Sequence, residues 1–206
     1  MKTLKTNLLK VVVIPLMVIA LLTMKSCNGK QVASAEEVKS TAESESQVDP
    51  PEMDIFTAAL FGDLKTVQQH IAAGTDLDQK DSYGSTALII AATFNKTEVA
   101  IKLIEAGADL NVTNNDGGTA LHSAAFLCRT EIVKALLAKG IDKNIKNNYG
   151  HTARESVLAP FEVVKPIYDQ FSKDLGPLGL KLDYNHLEET RPVIANMMLI
   201  FPRMAR

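Results

Sequence analysis

Several residue types are scarce in this chain, and each shortage excludes a class of protein. There is no tryptophan and there are only two cysteines among 206 residues, so a disulfide framework is excluded. Lysine and arginine (22) do not exceed aspartate and glutamate (24), which argues against a nucleic-acid partner. The hydrophobic share of 46% and the charged share of 22% are those of an ordinary globular protein.

No sequence typical of a nucleotide, hydrolase or zinc site occurs. The patterns GxSxG, GxxxxGK, HExxH and GxGxxG are all missing, and no CxxC is present. The four histidines have no tight metal-ligand spacing. Asp76, Asp78 and Asp81 imitate a calcium loop, but Asp81 stands where that loop needs a glycine for its sharp turn. We therefore predict no catalytic residue, no cofactor and no metal.

The longest uncharged apolar run, Val11 to Met24, is too short to be a membrane-spanning helix. Such a helix needs about 20 apolar residues. Three lysines and no acidic residue precede the run, between residues 2 and 10. This order of charge and apolar residues predicts a secretory signal peptide over residues 1–26.

Two cleavage sites compete after this run. Cys27 follows small Ser26, which resembles the lipobox of bacterial lipoproteins, in which the cysteine thiol is acylated. Lys25 departs from that pattern, since an apolar or small residue is expected there. The other site is the A-x-A sequence at residues 33–35, which lies far from the apolar run. We favour lipidation of Cys27, and expect an exported protein of the cell envelope, lipid-anchored or free in the periplasm.

Residues 27–51 are predicted to be a flexible linker. From Asn28 to Pro51 there is no Phe, Tyr, Leu or Ile, so the segment cannot bury enough apolar surface to fold. Coil statistics give about two dozen residues a reach of roughly 25–30 Å, enough to hold a small domain clear of a membrane. Cleavage before Cys27 leaves 18 basic and 24 acidic residues, a net charge of −6.

The rest of the chain repeats itself every 33 residues. Two sets of glycines, one set of threonines and three Ala-Ala pairs all follow this spacing: Gly74, Gly107 and Gly140; Gly84, Gly117 and Gly150; Thr86, Thr119 and Thr152; Ala58–Ala59, Ala91–Ala92 and Ala124–Ala125. Independent features that agree on one period indicate a repeat architecture, in which stacked units share a core.

These residues carry a resemblance to ankyrin repeats. GSTALIIAATFNKTEVAIKLIEAGADLNVTN and GGTALHSAAFLCRTEIVKALLAKGIDKNIKN are similar to the helix pair and AGADxN loop of that family. The resemblance implies an all-α solenoid of helix-turn-helix units with finger-like turns. It also implies that His122 hydrogen-bonds between neighbouring loops. Cys128 occupies the place of the glycine that usually joins the two helices, and we expect it to be a small turn residue of no redox consequence.

The predicted repeat domain covers residues 52–170, with three clear repeats and a degenerate fourth. In the fourth, Pro160 and Pro166 are expected to break the second helix. Residues 171–206 are predicted to be a C-terminal helical cap. Pro192 is taken as the first turn of a short docking helix.

The resemblance implies that the finger turns and the first helix of each repeat contact a protein partner. The finger residues carried over by the 33-residue alignment are Tyr83, Asn115, Asp116, Asn148 and Tyr149. The helix residues are Phe94 and Phe126, with packing against the adjacent repeat as an equally weighted alternative. Aromatic side chains are the anchors that protein interfaces favour.

The sequence therefore favours a monomeric, non-enzymatic interaction module of the cell envelope. It would bind a protein through its fingers and be held to the membrane by lipid on Cys27. Two alternatives stay open. One is an enzyme with an unrecognised site around His122, Cys128 and Arg129, and the other is a purely structural spacer.

Overall fold

The computed structural model describes residues 51–201, which form eight α-helices and two 3-10 helices. Within that range the one β-type pairing is an isolated bridge between Lys146 and Thr152. The helices are α1 (Ile55–Phe61), α2 (Leu64–Ala72), α3 (Ala87–Thr93), α4 (Thr97–Glu105), α5 (Ala120–Phe126), α6 (Thr130–Ala138), α7 (Phe161–Leu175) and α8 (Tyr184–Ile200). The all-α prediction is confirmed for these residues. The predicted signal peptide, Cys27 and the linker up to residue 50 lie outside the described residues.

The first six helices form three pairs, each with an inner helix (α1, α3, α5) and an outer helix (α2, α4, α6). Polar side chains cap the starts of the inner helices. Asp54 accepts hydrogen bonds from the amides of Phe56 and Thr57, at 3.0 and 2.9 Å. Thr86 accepts one from the amide of Ile89 at 3.3 Å. Each cap satisfies backbone donors that the first helical turn leaves unpaired.

A single left-handed residue joins the two helices of each pair. Gly62, Asn95 and Cys128 follow the inner helices at 33-residue spacing, with φ angles of 78°, 56° and 56°. The sequence prediction that Cys128 takes the place of a turn glycine is therefore confirmed. Asparagine adopts this conformation readily, whereas Cys128, which is 3% exposed, is held in it by the packing around it.

The core lies between the helix pairs. The alanine pairs of the inner helices are all 0% exposed, which lets neighbouring inner helices approach closely. The outer helices contribute larger side chains, among them Leu103 and Leu136, which are also 0% exposed. Burying a leucine fully contributes about 1.5–3 kcal/mol to folding. Since each pair buries much of this surface against its neighbours, the stack is the folding unit.

The fourth unit leaves the repeat pattern after its finger. Its inner-helix segment has only the 3-10 turn Glu155–Val157, and α7 follows it. The expectation that Pro166 breaks a helix is wrong, because α7 continues through it. Pro166 is exposed, so water can bind the carbonyl of Glu162 that a proline leaves without a backbone partner. The predicted boundary between residues 170 and 171 falls inside this helix.

The last helix starts earlier than the sequence suggested. We expected Pro192 in a first turn, but α8 begins at Tyr184 and Pro192 lies in its interior. Asp183 caps the helix by accepting a hydrogen bond from the amide of His186 at 3.2 Å. Pro192 is exposed, so the carbonyl of Glu188 that it leaves unpaired can bind water.

Helix α8 covers the end of the stack. Its residues Leu187, Ile194 and Met198 are at most 2% exposed. The thiol of Cys128 donates to the carbonyl of Leu187 at 3.7 Å. Lys143 donates to the carbonyls of Met198 and Phe201, both at 2.8 Å, where the cation also complements the negative end of the helix dipole. The third pair is thus closed by α8, which takes the place of a further repeat.

Candidate protein-interaction surface

Three finger turns (residues 81–85, 114–118 and 147–151) precede the inner-helix segments of the second, third and fourth units. One side chain organises each turn by accepting hydrogen bonds from two backbone amides of the same turn. Asp81 binds the amides of Tyr83 and Ser85, both at 2.8 Å. Asn114 and Asn147 bind the equivalent amides of their own turns at 2.8–3.1 Å. The fingers are therefore built by local polar contacts and need no core of their own.

Each finger is bonded to the next one. The amide of Asn115 donates to the carbonyl of Tyr83 at 3.1 Å, and the amide of Asn148 donates to the carbonyl of Asp116 at 2.9 Å. The side-chain amides of the same two residues also donate hydrogen bonds to the preceding finger. That of Asn115 donates to the carbonyl of Ser82 at 3.3 Å, and that of Asn148 donates to the carbonyl of Asn115 at 2.9 Å. Both predicted asparagines thus lie on the fingers, and both use a side-chain donor to hold the neighbouring finger.

The fingers meet so closely that glycine is required at the contact. Gly117 has a φ of 74°, and a Cβ atom there would lie 2.8 Å from the backbone nitrogen of Asn148. Gly84 has the same relation to Asn115, with a φ of 72°. Gly84 and Gly117 thus serve two purposes: each adopts the positive φ of its turn, and each leaves room for the backbone of the next finger.

His122 links the start of α5 to the following finger. The backbone amide of Thr119 donates to Nδ1 of His122 at 3.2 Å, so the ring proton is on Nε2. Nε2 lies 3.1 Å from the carbonyl oxygen of His151 and donates to it. Burial lowers the pKa of His122, although the hydrogen bond to His151 acts in the opposite direction. The implied bond between neighbouring loops is confirmed.

A scan against family models matches residues 55–147, a little under half of the chain, to the family described as "Ankyrin repeats (3 copies)". Residues 55–147 carry three ankyrin repeats. No curated protein matches the chain. Ankyrin repeats generally mediate protein–protein interaction and are typically non-enzymatic.

The two predicted tyrosines of the ankyrin fingers are open to solvent. Tyr83 is 61% exposed and Tyr149 is 42% exposed, and Asp116 lies between them on the third repeat's finger. Burial and then the charge of Asp116 raise the pKa of Tyr149. Large aromatic side chains at exposed positions of a rigid turn are candidates for contact with another molecule.

The two predicted inner-helix aromatics are in different surroundings. Phe94 is half-buried and packs against the core at the end of α3. Its equivalent in the first repeat, Phe61, is 67% exposed. Phe126 stacks on Tyr168 with ring centroids 4.6 Å apart, and Phe171 meets its edge at 5.8 Å. Phe126 therefore packs against α7, which is the packing alternative left open for this residue, and its contact with a partner stays a prediction.

No feature of the sequence predicted the contacts around Phe126. The hydroxyl of Tyr168 donates to the carbonyl of Phe126 at 2.6 Å and accepts from Nη1 of Arg191 at 2.6 Å. Arg191 also donates to the carbonyls of Ser156 and Ala159, at 3.4 and 2.9 Å. Burial raises the pKa of Tyr168 to about 12, although Arg191 acts against the rise. Tyr168 and Arg191 lie outside the matched repeats, so no period points to them.

The residues of the enzyme alternative do not form a catalytic pair. Cys128 is 3% exposed, and burial raises the pKa of its thiol to about 11. Both ring nitrogens of His122 are engaged, by Thr119 and by His151. Arg129 donates to the carbonyl of Thr93 at 3.3 Å, at the end of the preceding inner helix. A reactive thiol needs a lowered pKa and access to solvent, and Cys128 has neither.

The aspartates that imitate a calcium loop bind backbone amides. Asp76 accepts from the amide of Asp78 at 3.0 Å, and Asp78 accepts from the amide of Asp109 in the next repeat at 2.7 Å. Across residues 51–201 no group of three or more His, Cys, Asp or Glu side chains is arranged to hold a metal ion. None of the helices in the same range combines the length and the apolar character needed to cross a membrane.

Proposed function

We propose that this protein is a non-enzymatic module that binds a protein partner through its ankyrin fingers. The observation that carries the proposal is the exposure of Tyr83 and Tyr149, at 61% and 42%, on turns that are bonded to one another. Aromatic side chains dominate the energetics of protein interfaces. The proposed surface consists of the fingertips and of the exposed end of the inner-helix face: Ser82, Tyr83, Asn115, Asp116, Asn148, Tyr149, Phe61 and Phe94.

The proposed mechanism is preorganisation. The organising side chains Asp81, Asn114 and Asn147 fix each finger, and the bonds between Tyr83, Asn115, Asp116 and Asn148 fix the fingers to one another. A partner that docks on such a surface does not have to order it first. The entropic cost of binding is lower as a result.

Helix α7 sets one limit of the proposed surface. Phe61 of the first repeat is 67% exposed, whereas Phe126 of the third repeat is in ring contact with Tyr168 and Phe171 of α7. The partner is therefore expected to contact the inner helices of the first two repeats and all three finger turns.

We also propose that the module is exported and works as a monomer in the cell envelope, anchored by lipid on Cys27. The support is in the sequence: a basic segment, a 14-residue apolar run and then Ser26–Cys27. The linker over residues 27–51 would hold the repeats away from the membrane. Replacing Cys27 with Ala and fractionating cells tests the anchor. Loss of the membrane-bound pool is expected, and an unchanged pool would contradict lipidation.

Site-specific photocrosslinking in the native cell tests the interaction role. The photoreactive residue p-benzoylphenylalanine replaces Tyr83 or Tyr149 on the fingers. The control position is Glu105, which is exposed at the end of the outer helix α4. We expect a discrete adduct with one protein from the finger positions and none from position 105. The same adduct from all three positions, or none from the fingers, would contradict the proposal.

A further inference from the structure

One position of the ankyrin finger carries Tyr83, Asp116 and Tyr149 in the three successive turns. Each of them directly precedes the finger glycine, and they are 33 residues apart. The carbonyl of Tyr83 accepts from the amide that precedes Asp116, and the carbonyl of Asp116 accepts from the amide that precedes Tyr149. These bonds place the three residues side by side along the edge of the fingers. We call them the fingertip row.

The carboxylate at the centre of the row is exposed and has no partner among residues 51–201. The ion pairs of that range are Lys134 with Glu131 and Lys165 with Asp169, and neither includes Asp116. The acidic residue of the first finger differs, because Asp81 is occupied by two backbone amides. Asp116 thus presents a free negative charge at the fingertips.

Two lysines beside the finger turns, Lys80 and Lys146, have other interactions. Lys80 donates to the carbonyl of Thr113 at 2.7 Å. The positive charge of Lys146 acts on Glu155, whose pKa it helps to lower. Among residues 51–201 neither lysine forms an ion pair with Asp116.

A carboxylate between two exposed phenol rings suits a cation. A lysine or arginine side chain can pair with the carboxylate and lie against the ring of a tyrosine within about 6 Å of its centroid. The charge of Asp116 reaches the ring of Tyr149, since it contributes to the raised pKa of that tyrosine. Because the bond from the amide of Asn148 to the carbonyl of Asp116 sets Tyr149 beside Asp116, a bound ammonium or guanidinium group at Asp116 would also be near an aromatic side chain.

We propose that the fingertip row binds a lysine or arginine side chain of the protein partner, which therefore presents a basic segment to the fingers. This inference rests on the proposed interaction function and adds the chemistry of the partner. The net charge of −6 that remains after removal of residues 1–26 has the sign that attracts such a segment over a distance.

The direct test titrates the exported protein, kept in a neutral detergent, with the peptide acetyl-Lys-Gly-Lys-Gly-Lys-amide. The chain has four tyrosines, so ring-labelled tyrosine gives four NMR signals that single Tyr→Phe variants assign. We expect the signals of Tyr83 and Tyr149 to shift and those of Tyr168 and Tyr184 to stay. The matching glutamate peptide should shift none. Unshifted Tyr83 and Tyr149 signals with the lysine peptide would overturn the inference.

Two variants, each lacking one negative charge, distinguish binding at the fingertip row from attraction by the overall negative charge of the protein. Asp116→Asn removes the central carboxylate at a turn position that an asparagine fits, so the fold is retained. We expect it to weaken lysine-peptide binding about fivefold, the loss typical of one exposed ion pair with added contacts. Glu105→Gln removes the same charge from the outer helix and should change affinity less than about twofold. Equal losses in both variants would overturn the site.

The crosslinking adducts distinguish failure of this inference from failure of the proposed function. If finger adducts persist in full yield in Asp116→Asn while the lysine peptide shifts no tyrosine, the partner does not use a basic side chain here, although the interaction role stands. If no finger position gives an adduct while the lysine peptide binds at the row, the cation site stands and the protein-binding role fails.

Discussion

Nε2 of His122 lies 3.1 Å from the carbonyl oxygen of His151, and this bond ties the first turn of α5 to the finger of the next unit. Thr119 completes the arrangement, because its amide donates to the other ring nitrogen. The histidine has to be neutral to accept that bond. The position of a finger is therefore coupled to the protonation state of one buried ring.

The stability of the fold should fall in mild acid because of His122. Burial lowers its pKa in the folded state below the ordinary value of 6.5, so the unfolded chain binds the proton more readily. The stabilising contribution is complete above about pH 6.5 and is lost as the pH falls toward the folded pKa. Urea unfolding at pH 7 and pH 5 measures the loss.

The matched variant is His122→Gln, which cannot titrate and still suits the third position of a capping box. We expect the urea midpoint of this variant to fall less between pH 7 and pH 5 than that of the native protein. The same fall in both proteins would show that other groups cause the acid sensitivity.

Replacing Gly117 with Ala should destabilise the protein more than replacing Gly150 with Ala. Both glycines have positive φ, 74° and 80°, so both variants carry backbone strain of about 1 kcal/mol. Only at Gly117 does the new Cβ atom meet the next finger, 2.8 Å from the nitrogen of Asn148, while nothing lies within 4 Å at Gly150. The added clash should raise the total cost to about 2–4 kcal/mol, measured as the change in free energy of unfolding. Equal costs would mean that the fingers are not in contact.

Tyr168→Phe should cost about 1–3 kcal/mol of stability, because it leaves a donor of the buried Arg191 and the carbonyl of Phe126 without their partner. Tyr184→Phe is the control, since it also removes a tyrosine hydroxyl, one that binds Asp169 near the surface. That variant should cost less than about 0.5 kcal/mol. If thermal unfolding gave both variants the same melting temperature, the bond to Arg191 would not stabilise the cap.

Cys128 should react with thiol reagents only when the protein unfolds. Its side chain is 3% exposed and its pKa is raised to about 11 by burial, so at pH 8 about one thiol in a thousand is ionised. Ellman's reagent should therefore label Cys128 fully in concentrated urea and very slowly in buffer. Fast labelling of Cys128 in buffer would contradict the buried position and revive the enzyme alternative.

The repeat architecture was predictable from the sequence because each feature that defines it is local and recurs. Thr86 and Thr119 cap helices, and Gly84 and Gly117 occupy turns that allow few other residues. The same period identified Tyr83 and Tyr149 as finger residues, and the structure places both at the surface. Their contact with a partner remains a prediction.

The C-terminal part was not predictable in this way, because its contacts join residues far apart in the chain. Tyr168 reaches Phe126 across 42 residues and Arg191 reaches Tyr168 across 23, and neither distance belongs to the period. The error at Pro192 has a different cause. A proline is favourable in a first turn, but it is also tolerated at an exposed interior position of a helix whose cap, Asp183, lies further back.

The most direct measurement of the central claim is the affinity for the protein that crosslinks to the fingers. Isothermal titration calorimetry would compare the native protein with Tyr83→Ala/Tyr149→Ala and with Val193→Ala/Leu199→Ala. The second pair removes apolar side chains that are 51% and 59% exposed on α8. We expect the finger variant to bind at least about tenfold more weakly and the α8 variant to bind as the native protein does. Unchanged affinity in the finger variant, or equal losses in both, would contradict an interaction surface on the ankyrin fingers.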